Sequence, residues 1–209
     1  MKKKDMTLAI LLSNIFFVFL GIGIVIPVLP RIMNELNISG TAVGYLTAAF
    51  ALAQLIFSPF AGRAVDKYGR KIMIVMGLFI FSFSELLFGL GNTIEVLFVS
   101  RILGGISGAF IMPAVTAFIA DITTLKTRPK ALGYMSATIS TGFIIGPGIG
   151  GFLAEIGTRI PFFSAAACGL IVAILSIIIL KEPRKKDQEV MTDQTMEVGK
   201  STFRKILMP

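Results

Sequence analysis

Six long apolar runs, at about 7–29, 42–64, 72–91, 94–119, 131–154 and 160–180, are separated by short polar stretches that carry most of the charge. Each run is close to the roughly 20 residues a helix needs to cross about 30 Å of hydrocarbon. A membrane barrel would instead show roughly ten-residue segments of alternating polarity, a pattern this sequence lacks. The periodicity therefore predicts an all-α membrane fold, a six-transmembrane-helix bundle over residues 1–181. The polar stretch over 182–209, poor in aromatics and mixed in charge, reads as a flexible cytoplasmic linker. It ends without a packed element, the pattern expected of part of a longer protein.

Lys2, Lys3 and Lys4 before the first run raise the alternative of a signal peptide. The apolar run is longer than the 7–15 residues of a signal core, and Pro27 and Pro30 close it where small cleavage-site residues belong. It reads as a retained span.

Composition agrees with a bilayer as solvent: 55% of residues are apolar and 15% charged, against about 45–50% and 25% in soluble domains. The net charge of +8 matters less than its distribution. Lysines 2–4, the loop with Arg63, Lys67, Arg70 and Lys71, the loop with Lys126, Arg128 and Lys130, and the basic tail from Lys181 alternate with loops holding only Arg31 and Arg159. By the positive-inside rule both ends of this segment are cytoplasmic, in a multi-pass cell-membrane protein. Anionic lipid headgroups, not nucleic acid, are the neighbours such charges imply.

Several chemistries are excluded by what is missing. The chain has no histidine, so neither a Ser-His pair nor a histidine metal site can form. Cys168 is the single cysteine and reads as a small apolar residue of the sixth span. The stretch "GKST" at 199–202 ends like a phosphate-binding loop, but Gln194 stands where that motif needs glycine. No cofactor and no metal are implied, and an enzyme is not the expected class.

Three stretches carry more information. "GRAVDKYGRK", residues 62–71, joins the second and third spans. "RILGGISGAF", residues 101–110, places Arg101 about 10 Å inside the fourth span, where a charge costs about 2.5–3.5 kcal/mol and calls for a partner or an aqueous cavity. Glu85, the one acidic residue well inside a span, lies at similar depth across the short hairpin and is a geometrically suitable partner. "GFIIGPGIGGFL", residues 142–153, puts helix breakers into the fifth span. Spans have no water competing for backbone bonds, so glycines spaced by four let a neighbouring helix approach closely, while Pro147 frees the carbonyl of Phe143.

Together these stretches resemble the loop motif, the fourth-helix arginine motif and the fifth-helix "GxxxGPxxGG" motif of the major facilitator superfamily, the last being a mark of its drug/proton antiporters. "SNIFFVFLGIGIVIPVLP", residues 13–30, is similar to the first helix of twelve-helix bacterial multidrug exporters of the quinolone-exporter type. The resemblance runs from about residue 7 to 181 and covers the N-terminal half of such a transporter plus the start of its central loop. It implies 3+3 inverted repeats within this half and a partner, the C-terminal six-helix half, that is missing from this chain. Gly21, Gly23 and Pro27 of the first span echo Gly105, Gly108 and Pro113 of the fourth.

The resemblance also implies roles. Gly62, Asp66, Lys67, Gly69, Arg70 and Lys71 would form a cytoplasmic gate, Arg70 pairing with Asp121 and Asp66 meeting a helix of the opposite half. Lys67 stands where an arginine is common and lacks its planar fork. Gly142, Gly146, Pro147, Gly150 and Gly151 would pack at the interface between halves and hinder leakage. Phe19, Gln54, Ser140, Thr141 and Phe143 fall near the midplane, where such transporters bind substrate; two rings with an amide and hydroxyls suit small lipophilic or cationic compounds. The bland alternative is that these rings face lipid. Glu85 and Arg101 are either a structural pair or a proton carrier and its modulator. The function implied is multidrug efflux by proton antiport through alternating access. The alternatives are another metabolite or sugar transporter of the superfamily, or a six-helix half-transporter acting as a dimer.

Overall fold

The computed structural model describes residues 3–182. Among them are seven helices and no strand: α1 Lys3–Val25, α2 Leu29–Leu36, α3 Gly40–Tyr68, α4 Arg70–Leu90, α5 Ile94–Ile122, α6 Arg128–Ile156 and α7 Ile160–Ile179. All but α2 are long and apolar enough to cross a membrane. The basic tail from Arg184, the "GKST" stretch and nearly all of the expected linker lie outside the described residues.

Two expectations are corrected at the element level. The first run does not continue to residue 29. Pro27 and Pro30 lack the N–H an α-helix needs, so α1 stops at Val25 and a turn leads into α2, which has Pro30 in its first turn. In α2, Ile32 is buried while Arg31, Asn34 and Glu35 are exposed, giving a short amphipathic strap across the end of the bundle. The "GRAVDKYGRK" stretch is not a loop in the ordinary sense. Its residues up to Tyr68 extend α3 and those from Arg70 begin α4, leaving Gly69 as the sole break, with φ of 99° that favours glycine.

The packing is an exchange between two triplets, α1–α3–α4 and α5–α6–α7. The leading helix α1 docks mainly on α6 and α7, the leading helix α5 on α3 and α4, and α4 packs against α7. This is the twofold form of a 3+3 repeat. One apolar core, with Leu11, Ile15, Phe81, Ile111 and Phe118, fills the bundle towards the end that carries Gly69; a second, with Val28, Ile32, Phe88, Leu97 and Phe162, lies beneath α2.

Because lipid offers no hydrophobic drive between helices, close approach and polar pins have to hold them. Ser84 and Ser100 each donate to the other's carbonyl at 2.8 Å, Ser107 donates to Gly77 O at 2.8 Å, and Ser82 to Ala166 O at 2.6 Å. In α1, Asn14 accepts from Ser176 of α7 at 3.0 Å. Such bonds average about 0.6 kcal/mol in membranes, so they set register more than stability. Helix ends are closed by arginines: Arg31 donates to Ala154 O at 2.7 Å and Arg159 to Gly89 O at 3.0 Å, each satisfying an orphan carbonyl. Two helices remain largely uncovered. The buried share of the apolar stretch is 17% in α3 and 22% in α6, against 56% in α5.

Candidate functional site

The most connected polar cluster surrounds Arg70, the first residue of α4. Its Nε donates to Asp121 Oδ2 at 3.0 Å, near the end of α5; its Nη1 donates to Val65 O at 3.2 Å in α3; and its Nη2 lies 3.5 Å from Asp66 Oδ1. One planar guanidinium thus ties the ends of three helices, a use to which its fixed fork of donors is suited. Asp121 is largely buried in this contact, whereas the Asp66 side chain is 77% exposed. Lys67 and Lys71 flank the break; Lys67 lies over the Tyr68 ring at 5.1 Å, and Lys71 Nζ donates to Ile177 O at 2.6 Å. Gly62 sits in α3 with open space around it.

Glu182 completes this cluster and was invisible as a member of it in the sequence. Its two carboxylate oxygens accept from the backbone N–H groups of Arg70, at 2.6 Å, and Lys71, at 2.8 Å. The only signal available beforehand was an acidic residue directly after the last apolar run, among lysines and arginines.

The second site lies on the seam between α1 and α6. A Cβ on Gly142 would lie 2.9 Å from Leu20 N, and one on Gly146 2.8 Å from both Gly23 Cα and Leu20 O; Gly150 is closest to Ile24 O. These three glycines therefore take the α1 backbone itself. The neighbour that spacing by four calls for is thus found within this chain for these three glycines, because the twofold exchange sends α1 to α6. Gly148 and Gly151 have open space around them, and Pro147 lies beside Gly23 inside an α6 that runs unbroken to Ile156. Next to the seam, Phe19 and Phe143 meet edge to face with ring centroids 5.1 Å apart. Phe143 remains 38% exposed.

The other proposed binding residues are spread more widely. Ser140 and Thr141 lie exposed on α6, with Thr141 Oγ1 donating to Ala137 O of its own helix at 2.7 Å. Gln54 belongs to the corresponding second seam between the triplets, α3 on α5, where its amide lies beside Gly108 and where Gly105 meets the backbone of Phe50. The two seams are related as the repeats are, with Phe19 and Phe143 at one and Gln54 at the other.

Glu85 and Arg101 are brought together inside the bundle, between α4 and α5. They are 2% and 8% exposed, and Arg101 Nη2 lies 3.9 Å from Glu85 Oε1. That separation is an ion pair without a hydrogen bond. The guanidinium carbon sits 4.2 Å from the centroid of the Phe88 ring, which itself stacks on Phe162 at 4.7 Å. The arginine is thus held by a carboxylate and an aromatic face at once.

Six helices long and apolar enough to cross a membrane, packed as exchanged triplets, have the form of one six-helix half of a major facilitator fold. The chain belongs to the Major Facilitator Superfamily, whose sequence model matches residues 11–207. It is 66% identical over all 209 residues to "Multidrug resistance protein 1" of Bacillus subtilis strain 168, covering 53% of that protein. It is 50% identical over 176 residues to "Quinolone resistance protein NorA" of Staphylococcus aureus, covering 84% of this chain and 45% of that one. The chain spans about half the length of the curated relatives it matches. In fold it is similar to a bacterial homolog of the human lysosomal transporter Spinster, crystallised inward-facing and occupied, with a TM-score of 0.80 at 22% identity over 88% of this chain and 46% of that one.

Proposed function

We propose that this chain is the N-terminal half of a proton-driven multidrug exporter of the cell membrane. The observation that carries the reading is the 66% identity across the full chain to a protein named for multidrug resistance. Substrates in this reading are small lipophilic or cationic compounds. They bind near the midplane against Phe19 and Phe143, with Ser140 and Thr141 on the helix of Phe143 and Gln54 contributing from the second seam. The edge-to-face ring pair supports this, since an exposed aromatic face attracts a flat cation. The end that carries Arg70 is cytoplasmic by the distribution of lysine and arginine, as are both ends of the segment. There, Arg70, Asp121 and the exposed Asp66 form a gate against the C-terminal half, and residues 182–209 begin the linker to it.

Alternating access then works as rocking of two rigid halves about the central site. The interlocked triplets make this half one body, so the motion falls on the uncovered α3 and α6. Arg101 with Glu85 modulates proton coupling. Exchange of one proton for one monovalent cation moves no net charge and draws on the pH gradient alone, whereas a neutral substrate also draws on the voltage, about 2.3 kcal/mol per charge per 100 mV.

The test is dye efflux from a drug-sensitive host expressing the reading frame that contains this chain, with and without a protonophore. Efflux abolished by the protonophore is the expected result. Protonophore-insensitive efflux, or none for any lipophilic cation, overturns the reading.

A further inference from the structure

We infer, building on the gate reading above, that Glu182 is the positioning residue of the gate: its carboxylate fixes the start of α4 that carries Arg70, and so fastens the segment following α7 to the gate. The contact is a built one. The first N–H groups of a helix have no intrahelical partner and carry partial positive charge, so a carboxylate accepting from two of them makes two charge-assisted bonds. Glu182 does this with both oxygens, at 2.6 Å and 2.8 Å. The break before α4 is shaped to admit it: Gly69 has φ of 99°, and a Cβ there would lie 2.7 Å from Glu182 Oε1. Lys71 adds a second tie between the same two helix ends through Ile177 O.

The consequence follows from where Arg70 sits. Its backbone N–H is held by Glu182, while its side chain holds Asp121, Asp66 and Val65. A shift of the α4 start by a fraction of the 3.0 Å contact length moves the guanidinium off Asp121. Glu182 lies three residues beyond Ile179, the end of α7. With the tie from Lys71 to Ile177 O, this makes Glu182 a coupling point between the end of α7 and the gate.

The test uses the full-length protein in inside-out vesicles. A reporter cysteine replaces Ser58, exposed on α3 one turn from Gln54 towards Gly62, in a Cys168→Ala background. Labelling by a membrane-impermeant maleimide is read per molecule of inserted protein. Glu182→Gln keeps size but loses the charge and one acceptor oxygen, and is expected to raise the labelling rate about tenfold, the shift that loss of a charge-assisted bond produces. Glu182→Asp, which keeps the charge, is expected to return it towards the parent value; labelling equal to that of Glu182→Gln overturns the role of the carboxylate. Asp66→Asn separates the two readings. If it raises labelling and Glu182→Gln does not, the positioning role is overturned and the gate stands; if neither does, the gate reading falls and takes the positioning role with it. Should Glu182→Gln insert poorly, Glu182→Ala, which removes both acceptor oxygens and leaves Gly69 untouched, is read in its place: raised labelling supports the role and parental labelling overturns it.

Discussion

Phe143 of α6 meets Phe19 of α1 edge to face at 5.1 Å, beside the point where Gly142 brings the two helices together. The ring pair is thus held by the backbone approach next to it. An aromatic contact of this kind contributes about 0.5–1.5 kcal/mol beyond area burial. Phe143→Leu should raise the KM for a planar cationic dye about two- to tenfold with the protein still inserted, and Phe143→Trp should not. An unchanged KM in the leucine variant would remove Phe143 from the binding site.

The glycines of α6 divide into two sets with opposite expected tolerance. A Cβ on Gly146 or Gly150 meets the α1 backbone, which cannot move aside as a side chain can; alanine there should cost about 1–3 kcal/mol. Alanine at Gly148 or Gly151 meets nothing within 4 Å and should stay within about 0.5 kcal/mol of the parent. Thermal unfolding of the detergent-solubilised protein checks this; equal loss at all four positions would contradict the α1–α6 seam.

Arg70→Lys keeps the charge and loses the fork that reaches Asp121, Val65 and Asp66 together. A single ammonium cannot replace that geometry, so the variant should lose about 1–3 kcal/mol of stability and transport should fall with it. The thermal midpoint and the dye-efflux rate are the measurements. Parental values of both would mean that the fork is dispensable.

Glu85 and Arg101 should show strong non-additivity. Removing one buried partner leaves the other uncompensated, a loss of about 3–5 kcal/mol, whereas replacing both with leucine removes the need for compensation. The double variant should therefore insert better than Glu85→Leu or Arg101→Leu alone, as read by membrane abundance and unfolding. Additive losses would argue against a direct pair. Separately, proton-driven efflux retained by Glu85→Gln would leave the pair structural and take the carrier role from Glu85.

The six spans were readable because their lengths are set by the bilayer, and Glu85 and Arg101 because each sits at a depth fixed by counting along a span. The α1 boundary is not legible because apolarity continues through Leu29 while the helix, interrupted by Pro27, does not. The glycine stripe is legible in the sequence, but the identity of the helix against it is not. Spacing by four shows that a helix comes close, and only the exchange of leading helices shows which one. Glu182 escaped notice because its partners are backbone amides at the start of α4, which leave no trace in the identity of side chains.

The exchange also sets an order of events during synthesis. Arg31, in the first turn of α2, is bonded to a carbonyl 123 residues later. At roughly 5–20 residues per second a ribosome needs on the order of ten seconds to make that stretch. For that interval the groove at Gly23 has no α6 to receive it, and α1 waits in the lipid or beside the insertion machinery with its buried Asn14 uncovered. The helix made first is thus among the last to be enclosed, since its partners α6 and α7 are the last helices of this chain's described residues to be made.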